Sequence, residues 1–383
     1  MLQKKINPFI RWWVTPKLPI HDVFEFPLLQ NKSLFAKYTF LFSQWLIHPI
    51  KRRLARWYLK LLKKFTDITI IAVTGSAGKS TTSQMIFSIL KNTGKTISTL
   101  PGLDSVFNIP NTILRTPWGT KYLILEMSVE YPGEMDYYLW LARPDIGVIT
   151  NIFPTHLQFL GNIDGVLNEK GKLVLNLPKS GVAFLNSGDQ NLVKFGKRIN
   201  KKIVWFHSDP DPITQNSLVA EKIATYLGIS KALVRSGIEN YKKPPHRLDI
   251  LKLKNGAMVL DDTYSSNPKS ALSALRYFNK IANGKKIAVL GDMLELGKYD
   301  EQAHRELGIE IAKSNFEVVV GVGKSVRFLV DEVNKKSKKT KTYLFSNTES
   351  SARKVESLVQ RNVSILIKGS RSIGLDKLVA ELF

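Results

Sequence analysis

At 383 residues the chain is longer than one hydrophobic core usually supports, so two or three domains are expected. It contains no cysteine, which excludes disulfides, thiolate zinc sites and cysteine nucleophiles. A net charge of +24 predicts attraction to an anionic partner: nucleic acid, acidic lipid headgroups or a phosphorylated substrate.

The first 65 residues form a basic, aromatic segment. They carry thirteen Lys and Arg residues against only Asp22 and Glu25, and four of the seven tryptophans. Two alternatives are open for residues 50–65: an amphipathic helix on an anionic membrane surface, or one that packs on the next domain. Tyr38–Ile47 is too short to span a bilayer, and no cleavable signal peptide is expected. The apolar residues at helical spacing are Ile50, Leu54, Trp57, Tyr58, Leu61, Leu62 and Phe65.

The rest of the chain alternates between predicted strands and helices. This alternation predicts an α/β fold with mostly parallel sheets covered by helices. We expect a central domain over residues 66–243 and a C-terminal domain over residues 244–383, with a helical region at Ala220–Asn240 before a linker. The predicted strands are Ile68–Val73, Tyr122–Leu125, Ile146–Thr150, Met258–Leu260, Lys286–Leu290, Val318–Val320, Tyr343–Phe345 and Ser364–Ile367.

A glycine-rich stretch follows the first predicted strand and precedes a predicted helix, Thr81–Leu90. In a phosphate-binding loop of this kind, glycines let the backbone approach the phosphates, Lys79 reaches the terminal phosphates and the Ser80 hydroxyl binds Mg²⁺. The alternative is a glycine turn before a helix with no role in binding, but such a turn does not account for the preceding strand, the lysine and the hydroxyl occurring together. The sequence therefore predicts a P-loop ATPase domain whose nucleotide contacts come from Thr74, Gly75, Ser76, Ala77, Gly78, Lys79, Ser80 and Thr81.

Three further motifs follow in order. They lie at residues 261–268, at residues 290–297 with His304 downstream, and at residues 367–372. Together with the short Thr-Gly-x-x-Gly-Lys-Ser loop, they resemble the Mur ligase family over residues 68–383. The Gly-Asp-Met-Leu-Glu-Leu-Gly stretch at 291–297 is most similar to the D-alanyl-D-alanine-adding branch. The resemblance implies a central ATPase domain followed by a C-terminal Rossmann-like domain.

The resemblance also implies chemistry: an ADP-forming ligase that uses ATP and Mg²⁺ to make an acyl phosphate and join it to an amine. In this branch the reaction is D-Ala-D-Ala addition to a peptidoglycan precursor. Lys170 matches a lysine that many Mur ligases carbamylate, which turns a cation into an anion able to bridge metals, and Lys172 is the competing candidate. The implied catalytic residues are Lys79, Glu126, His156 and Lys170, and the implied metal ligands are Ser80, Glu126, His156 and Lys170.

Other residues match the family's nucleotide and substrate contacts. Asn216 resembles an asparagine near the adenine, and Arg247 an arginine that moves onto the phosphates. Lys368 and Arg371 are expected to clamp a carboxylate of the substrate. The cluster beside Arg247 consists of Asp262, Tyr264 and Asn267.

The resemblance is incomplete in the parts that recognise substrate. Residues 1–65 do not resemble the family's UDP-binding domain, the stretch after His207 is short, and Ser105–Asn108 departs from the expected asparagine pair. One alternative is therefore the same reaction on a lipid-linked or polymeric substrate, and another is a nucleic-acid-binding P-loop ATPase. We expect a small-molecule or peptide substrate, no nucleic-acid partner and a cytoplasmic location, with membrane association if the first segment is an anchor.

Overall fold

The structure is a computed structural model that describes residues 13, 33–207, 209 and 212–382. It divides into two compact units. The first contains the described chain up to residue 152 together with residues 163–209 and 213–242, and the second contains residues 153–162 and the chain from residue 243. Each unit is built on a six-stranded sheet, which confirms the predicted α/β class.

The basic segment is helical where it is described. Three helical elements follow one another without a gap: α1 (Leu34–Phe42), a π-helical turn (Ser43–Ile47) and α2 (His48–Phe65). The predicted helix is present, but only part of the predicted stripe is buried: Leu62 packs inward, whereas four other large members are exposed, namely Ile50, Leu54, Trp57 and Phe65. Arg52, Ala55, Leu59 and Leu62 are buried. Within the described part of the chain, no helix is both long and apolar enough to cross a membrane.

The first sheet is parallel throughout, in the order β2-β3-β1-β4-β5-β6. The strands are apolar on both faces because helices cover both, as expected for a parallel sheet. The carboxyl ends of β1, β3 and β4 therefore meet at one edge. The elements are β1 (Thr69–Thr74), α3 (Lys79–Leu90), β2 (Thr96–Ser98), α4 (Ser105–Leu114), β3 (Tyr122–Glu126), α5 (Glu134–Leu141), β4 (Ile146–Ile149), α6 (Leu157–Leu160), α7 (Ile163–Leu175), β5 (Val182–Asn186), α8 (Gln190–Gly196), β6 (Lys202–Phe206), α9 (Pro212–Tyr226) and α10 (Lys231–Glu239).

The second sheet has the order β11-β10-β9-β12-β8-β7. All pairings are parallel except that of β7 with β8. Two buried apolar clusters pack against this sheet, one around Phe278 and one around Val355. The elements are β7 (Asp249–Lys252), β8 (Met258–Asp262), α11 (Pro268–Ile281), β9 (Lys285–Gly291), a 3₁₀ turn (Gly297–Tyr299), α12 (Asp300–Ala312), β10 (Val318–Val322), α13 (Val326–Lys336), β11 (Lys341–Phe345), α14 (Thr348–Leu358), β12 (Val363–Lys368), a second 3₁₀ turn (Arg371–Ile373) and α15 (Leu375–Glu381).

Candidate active site

The glycine-rich loop joins β1 to α3, as the sequence predicts. Gly75 and Gly78 have φ angles of +145° and +80°, which side-chain-bearing residues rarely adopt. A Cβ on Gly75 would lie 2.0 Å from Thr150 Oγ1, and one on Gly78 would lie 2.5 Å from Asn216 Oδ1. Both positions therefore require glycine, and Gly78 leaves the N-terminus of α3 without a side-chain cap.

The loop is held in shape from the neighbouring strand. The backbone amides of Ser76 and Ala77 donate to the Asn151 backbone oxygen (3.0 Å) and Oδ1 (2.8 Å), respectively. The side-chain amide of Asn151 and the Thr150 hydroxyl both donate to the Ala77 backbone oxygen, at 3.1 and 2.6 Å. Sequence reasoning missed this support. Its only signal was the position of Thr150 and Asn151 directly after a strand that parallel pairing places beside β1.

Ser80 and Glu126, which were expected to bind metal, are brought together. Val73 of β1 pairs with Glu126 of β3, so the two strands end side by side. The Ser80 hydroxyl donates to Glu126 Oε1 at 2.9 Å, and the Ser128 hydroxyl approaches the same oxygen at 3.3 Å. This cluster of oxygen atoms beside the phosphate loop suits a hard divalent cation.

Lys170 lies on α7 and is buried, with only 1% of its surface exposed. Its ammonium group donates to the Val129 oxygen at 3.3 Å. Burial and the positive charge of Lys79 lower the pKa of Lys170 from 10.5 to about 7, although nearby glutamates oppose this shift. A neutral amine is therefore abundant near pH 7, and this is the form that reacts with carbon dioxide.

Lys172, the competing candidate, has a different environment. Its ammonium group forms ion pairs with Asp136 at 2.6 Å and Glu169 at 2.7 Å, and its side chain is 30% exposed. Burial alone would lower the pKa of Lys172, but the two carboxylates outweigh it and raise the pKa. Lys172 therefore stays protonated, and Lys170 is the better candidate for modification.

Asn216 lies at the phosphate loop, on α9. It is 8% exposed and accepts a hydrogen bond from the Thr82 hydroxyl at 3.1 Å. Its side chain fills the space that a Cβ on Gly78 would need. The structure therefore joins Asn216 to the loop that was expected to bind ATP, although 134 residues separate it from Thr82.

His156 is grouped with the second unit, because residues 153–162 belong to it. Its backbone is left-handed (φ +52°), and its Nδ1 pairs closely with the Glu295 carboxylate. The backbone of Glu295 is also left-handed (φ +65°), and its backbone oxygen accepts a hydrogen bond from the Gln158 backbone amide at 3.2 Å. Sequence reasoning identified the 291–297 motif but assigned no role to Glu295.

Two arginines face one aromatic ring in the second unit. The Arg247 guanidinium lies 3.9 Å from the centre of the Tyr264 ring, and the Arg371 guanidinium lies 5.5 Å from it. Stacking on a ring fixes the orientation of a guanidinium group. These three predicted residues therefore form one basic cluster, here called the arginine cluster.

The turn that carries Arg247 is strained and tightly held. The residues on either side, His246 and Leu248, both have left-handed backbones, with φ angles of +61° and +53°. His246 Nδ1 lies 2.7 Å from Asp261 Oδ2, and the Leu248 amide donates to Asp262 Oδ1 at 3.2 Å. Such strain persists only where surrounding contacts determine it, so the turn fixes the position of Arg247.

Lys368 and Asn267 lie where they support the fold. Lys368 is 2% exposed, and its ammonium group bonds Asp262 at 2.5 Å and the Ser265 oxygen at 2.8 Å. Asn267 caps α11 by accepting from the Ser270 amide at 2.9 Å. Of the two predicted carboxylate clamps, Arg371 is the exposed one and Lys368 is committed to Asp262.

The 291–297 and 367–372 motifs are joined to each other. Asp292 accepts from the amides of Lys324 (2.9 Å) and Val326 (2.7 Å) at the start of α13, and its backbone oxygen accepts from the Ser370 amide at 3.1 Å. The buried His304 accepts from the Met293 amide at 3.0 Å. The two motifs therefore build one rigid edge of the second sheet.

Comparison with known proteins agrees with this architecture. Residues 73–232 match the Mur ligase middle domain, and residues 246–371 match the Mur ligase, glutamate ligase domain. UDP-N-acetylmuramoyl-tripeptide–D-alanyl-D-alanine ligase of Buchnera aphidicola subsp. Baizongia pistaciae is 31% identical over 366 residues, covering 86% of this chain and 78% of that protein.

Two solved structures share the fold. MurF from Acinetobacter baumannii superposes with a TM-score of 0.78 at 24% identity, covering 88% of this chain and 80% of that one. MurF ligase from Thermotoga maritima in complex with ADP superposes with a TM-score of 0.76 at 22% identity, covering 88% and 83%. With its matched middle and C-terminal domains, the chain belongs to the Mur ligase family of ATP-dependent, ADP-forming peptide ligases.

Proposed function

We propose that this chain adds D-alanyl-D-alanine to a UDP-N-acetylmuramoyl-tripeptide, a step in the synthesis of cell-wall peptidoglycan. The observation that carries the proposal is the phosphate loop with Glu126 against Ser80, in a chain 31% identical to an enzyme named for that reaction. The basic groups and the cluster of oxygen ligands described above support the proposal.

The loop fits the phosphates of ATP. Gly75 and Gly78 are positions where a Cβ would collide with Thr150 and Asn216, so the glycines let the loop pack closely against β4 and α9 and hold its shape. The N-terminus of α3 supplies positive potential, and Lys79 is its first residue. We assign Lys79 to the transferred phosphoryl group, and Asn216 to the nucleotide side of the loop.

Mg²⁺ would be held by hard ligands around the loop. We assign Ser80 and Glu126 to this role because their oxygens already lie 2.9 Å apart. A carbamate on Lys170 would add an anionic ligand. When bound, the ions would neutralise charge on the phosphates and on the reacting carboxylate.

The reaction then needs positioning more than covalent catalysis. The terminal phosphoryl group passes from ATP to the substrate carboxylate, giving an acyl phosphate and ADP. The amine of D-Ala-D-Ala attacks the acyl carbon, phosphate leaves, and the nitrogen loses a proton. Lys79 would stabilise the negative charge that develops on the transferred phosphoryl group.

An ADP-release assay tests the proposal. The full chain receives ATP and Mg²⁺ with the UDP-tripeptide, with D-Ala-D-Ala, or with both, and the product is identified by mass. We expect turnover only with both substrates, and we expect Lys79→Ala to abolish it while Lys91→Ala, at the other end of the same helix, does not. Turnover that requires nucleic acid instead would contradict the proposal, and so would wild-type ADP formation by Lys79→Ala.

A lipid-linked or polymeric form of the same acid is a second candidate substrate. It is favoured by the basic segment, which carries an excess of eleven positive charges in residues 1–65. We further propose a cytoplasmic enzyme that works at the membrane face, since its reaction depends on ATP and its first segment is basic. Supplying the lipid-linked acid in the assay above separates the two candidates.

A further inference from the structure

The helical segment from α1 to α2 presents an apolar stripe to solvent. Trp57 is 61% exposed and Leu54 52%, and the stripe continues through the π-helical turn into α1. Single exposed apolar residues are ordinary, but a continuous row marks an interaction surface. The stripe consists of Tyr38, Phe42, Trp45, Ile50, Leu54 and Trp57, spaced three to five residues apart along successive helical turns.

The opposite face of α2 is fixed against the first unit. The buried Arg52 guanidinium lies 5.4 Å from the Tyr137 ring, and the Arg56 guanidinium lies 4.8 Å from the Trp140 ring. The Tyr58 hydroxyl donates to the Thr116 oxygen at 2.6 Å. Because these contacts fix the rotation of α2, the stripe cannot turn inward while they hold.

Positive charge borders the stripe. Residues 33–65 include eight Lys and Arg residues and no Asp or Glu; Arg52 and Arg56 lie on the opposite face, and Lys63 pairs with Asp145. Lys60 and Lys64 are exposed, and helical spacing places Lys60 beside Trp57 and Lys64 one turn further along the same side. The apolar stripe suits the boundary between headgroups and acyl chains of a membrane, and its basic border suits anionic headgroups.

We propose that this surface, here called the α1–α2 stripe, binds the headgroup region of an anionic lipid bilayer. The aromatic and aliphatic side chains enter the boundary between headgroups and acyl chains, and the lysines pair with headgroup phosphates. A second copy of the chain is the less favoured occupant because the same basic border would oppose it. The inference concerns where the enzyme works, and it does not depend on which substrate the ligase uses.

Vesicle sedimentation of the full chain tests the proposal. We expect binding to vesicles of phosphatidylglycerol with phosphatidylcholine, weaker binding in high salt, and little binding to phosphatidylcholine alone. Leu54→Ala with Trp57→Ala should weaken binding on the order of a hundredfold, because two large apolar side chains no longer leave water. Lys60→Ala with Lys64→Ala should weaken it about 25-fold.

Matched variants separate this surface from general effects. Trp205→Ala with Leu344→Ala removes two other exposed apolar residues, and Lys338→Ala with Lys339→Ala removes two other exposed charges. Both controls should bind like the wild type, and the two test variants should keep wild-type thermal stability and ADP formation. Equal loss in a control and its test variant would overturn the proposal. So would a dimer, seen by ultracentrifugation, that the Leu54 and Trp57 changes dissociate without altering vesicle binding.

Discussion

The buried Lys170 makes a quantitative prediction about stability. Its pKa falls from 10.5 to about 7 on folding, so holding the ammonium form in the folded chain opposes folding by about 5 kcal/mol at pH 7 and below. Lys170→Met keeps a long side chain, removes the charge, and loses one hydrogen bond worth about 1 kcal/mol. We therefore expect Lys170→Met to increase the free energy of unfolding by about 4 kcal/mol at pH 7.

The pH dependence of this gain has a definite sign. Between pH 7 and 10.5 the unfolded lysine binds more protons than the folded one, so wild-type stability rises with pH. The advantage of Lys170→Met should therefore shrink by about 1.4 kcal/mol for each pH unit above 7. It should stay constant below pH 7, where both states are protonated.

Urea titrations in degassed buffer at several pH values measure both quantities. Tryptophan fluorescence reports on the first unit, because all seven tryptophans lie at or before residue 205. Lys172→Met is the matched control, and it should destabilise the chain by breaking the ion pairs with Asp136 and Glu169. The reasoning would be refuted if Lys170→Met were less stable than the wild type, or if the difference in their free energies of unfolding did not change with pH.

The same variants test the modification of Lys170. Bicarbonate should stabilise the wild type, because carbamate formation on the folded amine favours the folded state by mass action. It should not affect Lys170→Met. Activity should be lost in Lys170→Ala and partly restored by short carboxylates, and an unchanged rate after bicarbonate depletion would count against a carbamate.

Three further changes probe the phosphate loop and the arginine cluster. Gly78→Ala should destabilise the chain by about 1–2 kcal/mol and weaken ATP binding, since the added methyl displaces Asn216. Scanning calorimetry measures the stability and titration calorimetry measures the affinity for ATP, and an unchanged affinity would refute a role of the Gly78–Asn216 contact in ATP binding. Asp292→Ala should lower the free energy of unfolding by about 1 kcal/mol, because the amides of Lys324 and Val326 lose their acceptor; urea unfolding measures this, and unchanged stability would show that these hydrogen bonds do not contribute. Arg371→Ala should raise KM for the carboxylate substrate about tenfold while Lys377→Ala does not, so equal steady-state constants would exclude Arg371 from substrate binding.

The sequence predicted the parallel sheets and the phosphate loop because their signals are local. A β-branched run, two glycines and a lysine in order are enough to place Gly75 and Gly78 between β1 and α3. The support from Asn151 was not predictable in the same way, because it depends on which strand lies beside β1. Family resemblance alone predicted that Asn216 lies near the adenine; its contact with Thr82 of α3 was not predicted, since α9 reaches the loop through tertiary packing.

The helix α2 was predicted, but most of its buried face was not. The predicted apolar stripe contains Leu62, which is buried, and also four residues that remain exposed: Ile50, Leu54, Trp57 and Phe65. The structure buries Arg52 because its guanidinium stacks against Tyr137, an interaction that a hydrophobicity pattern cannot register. Lys368 illustrates the same limit: a lysine after a strand resembles a substrate ligand, but the register of β12 beside β8 brings it to Asp262.

The order of the strands has a consequence for the behaviour of the chain at high concentration. Within the described residues β6 and β11 end their sheets, and each has an outward-facing apolar side chain, Trp205 or Leu344. Exposed edges of this kind invite edge-to-edge pairing between copies. Each of these strands begins with an exposed lysine, Lys202 or Lys341, and the net charge of +24 keeps copies apart. Concentrated salt screens that repulsion, so colloidal stability should fall as ionic strength rises, and purification should succeed best in dilute buffer.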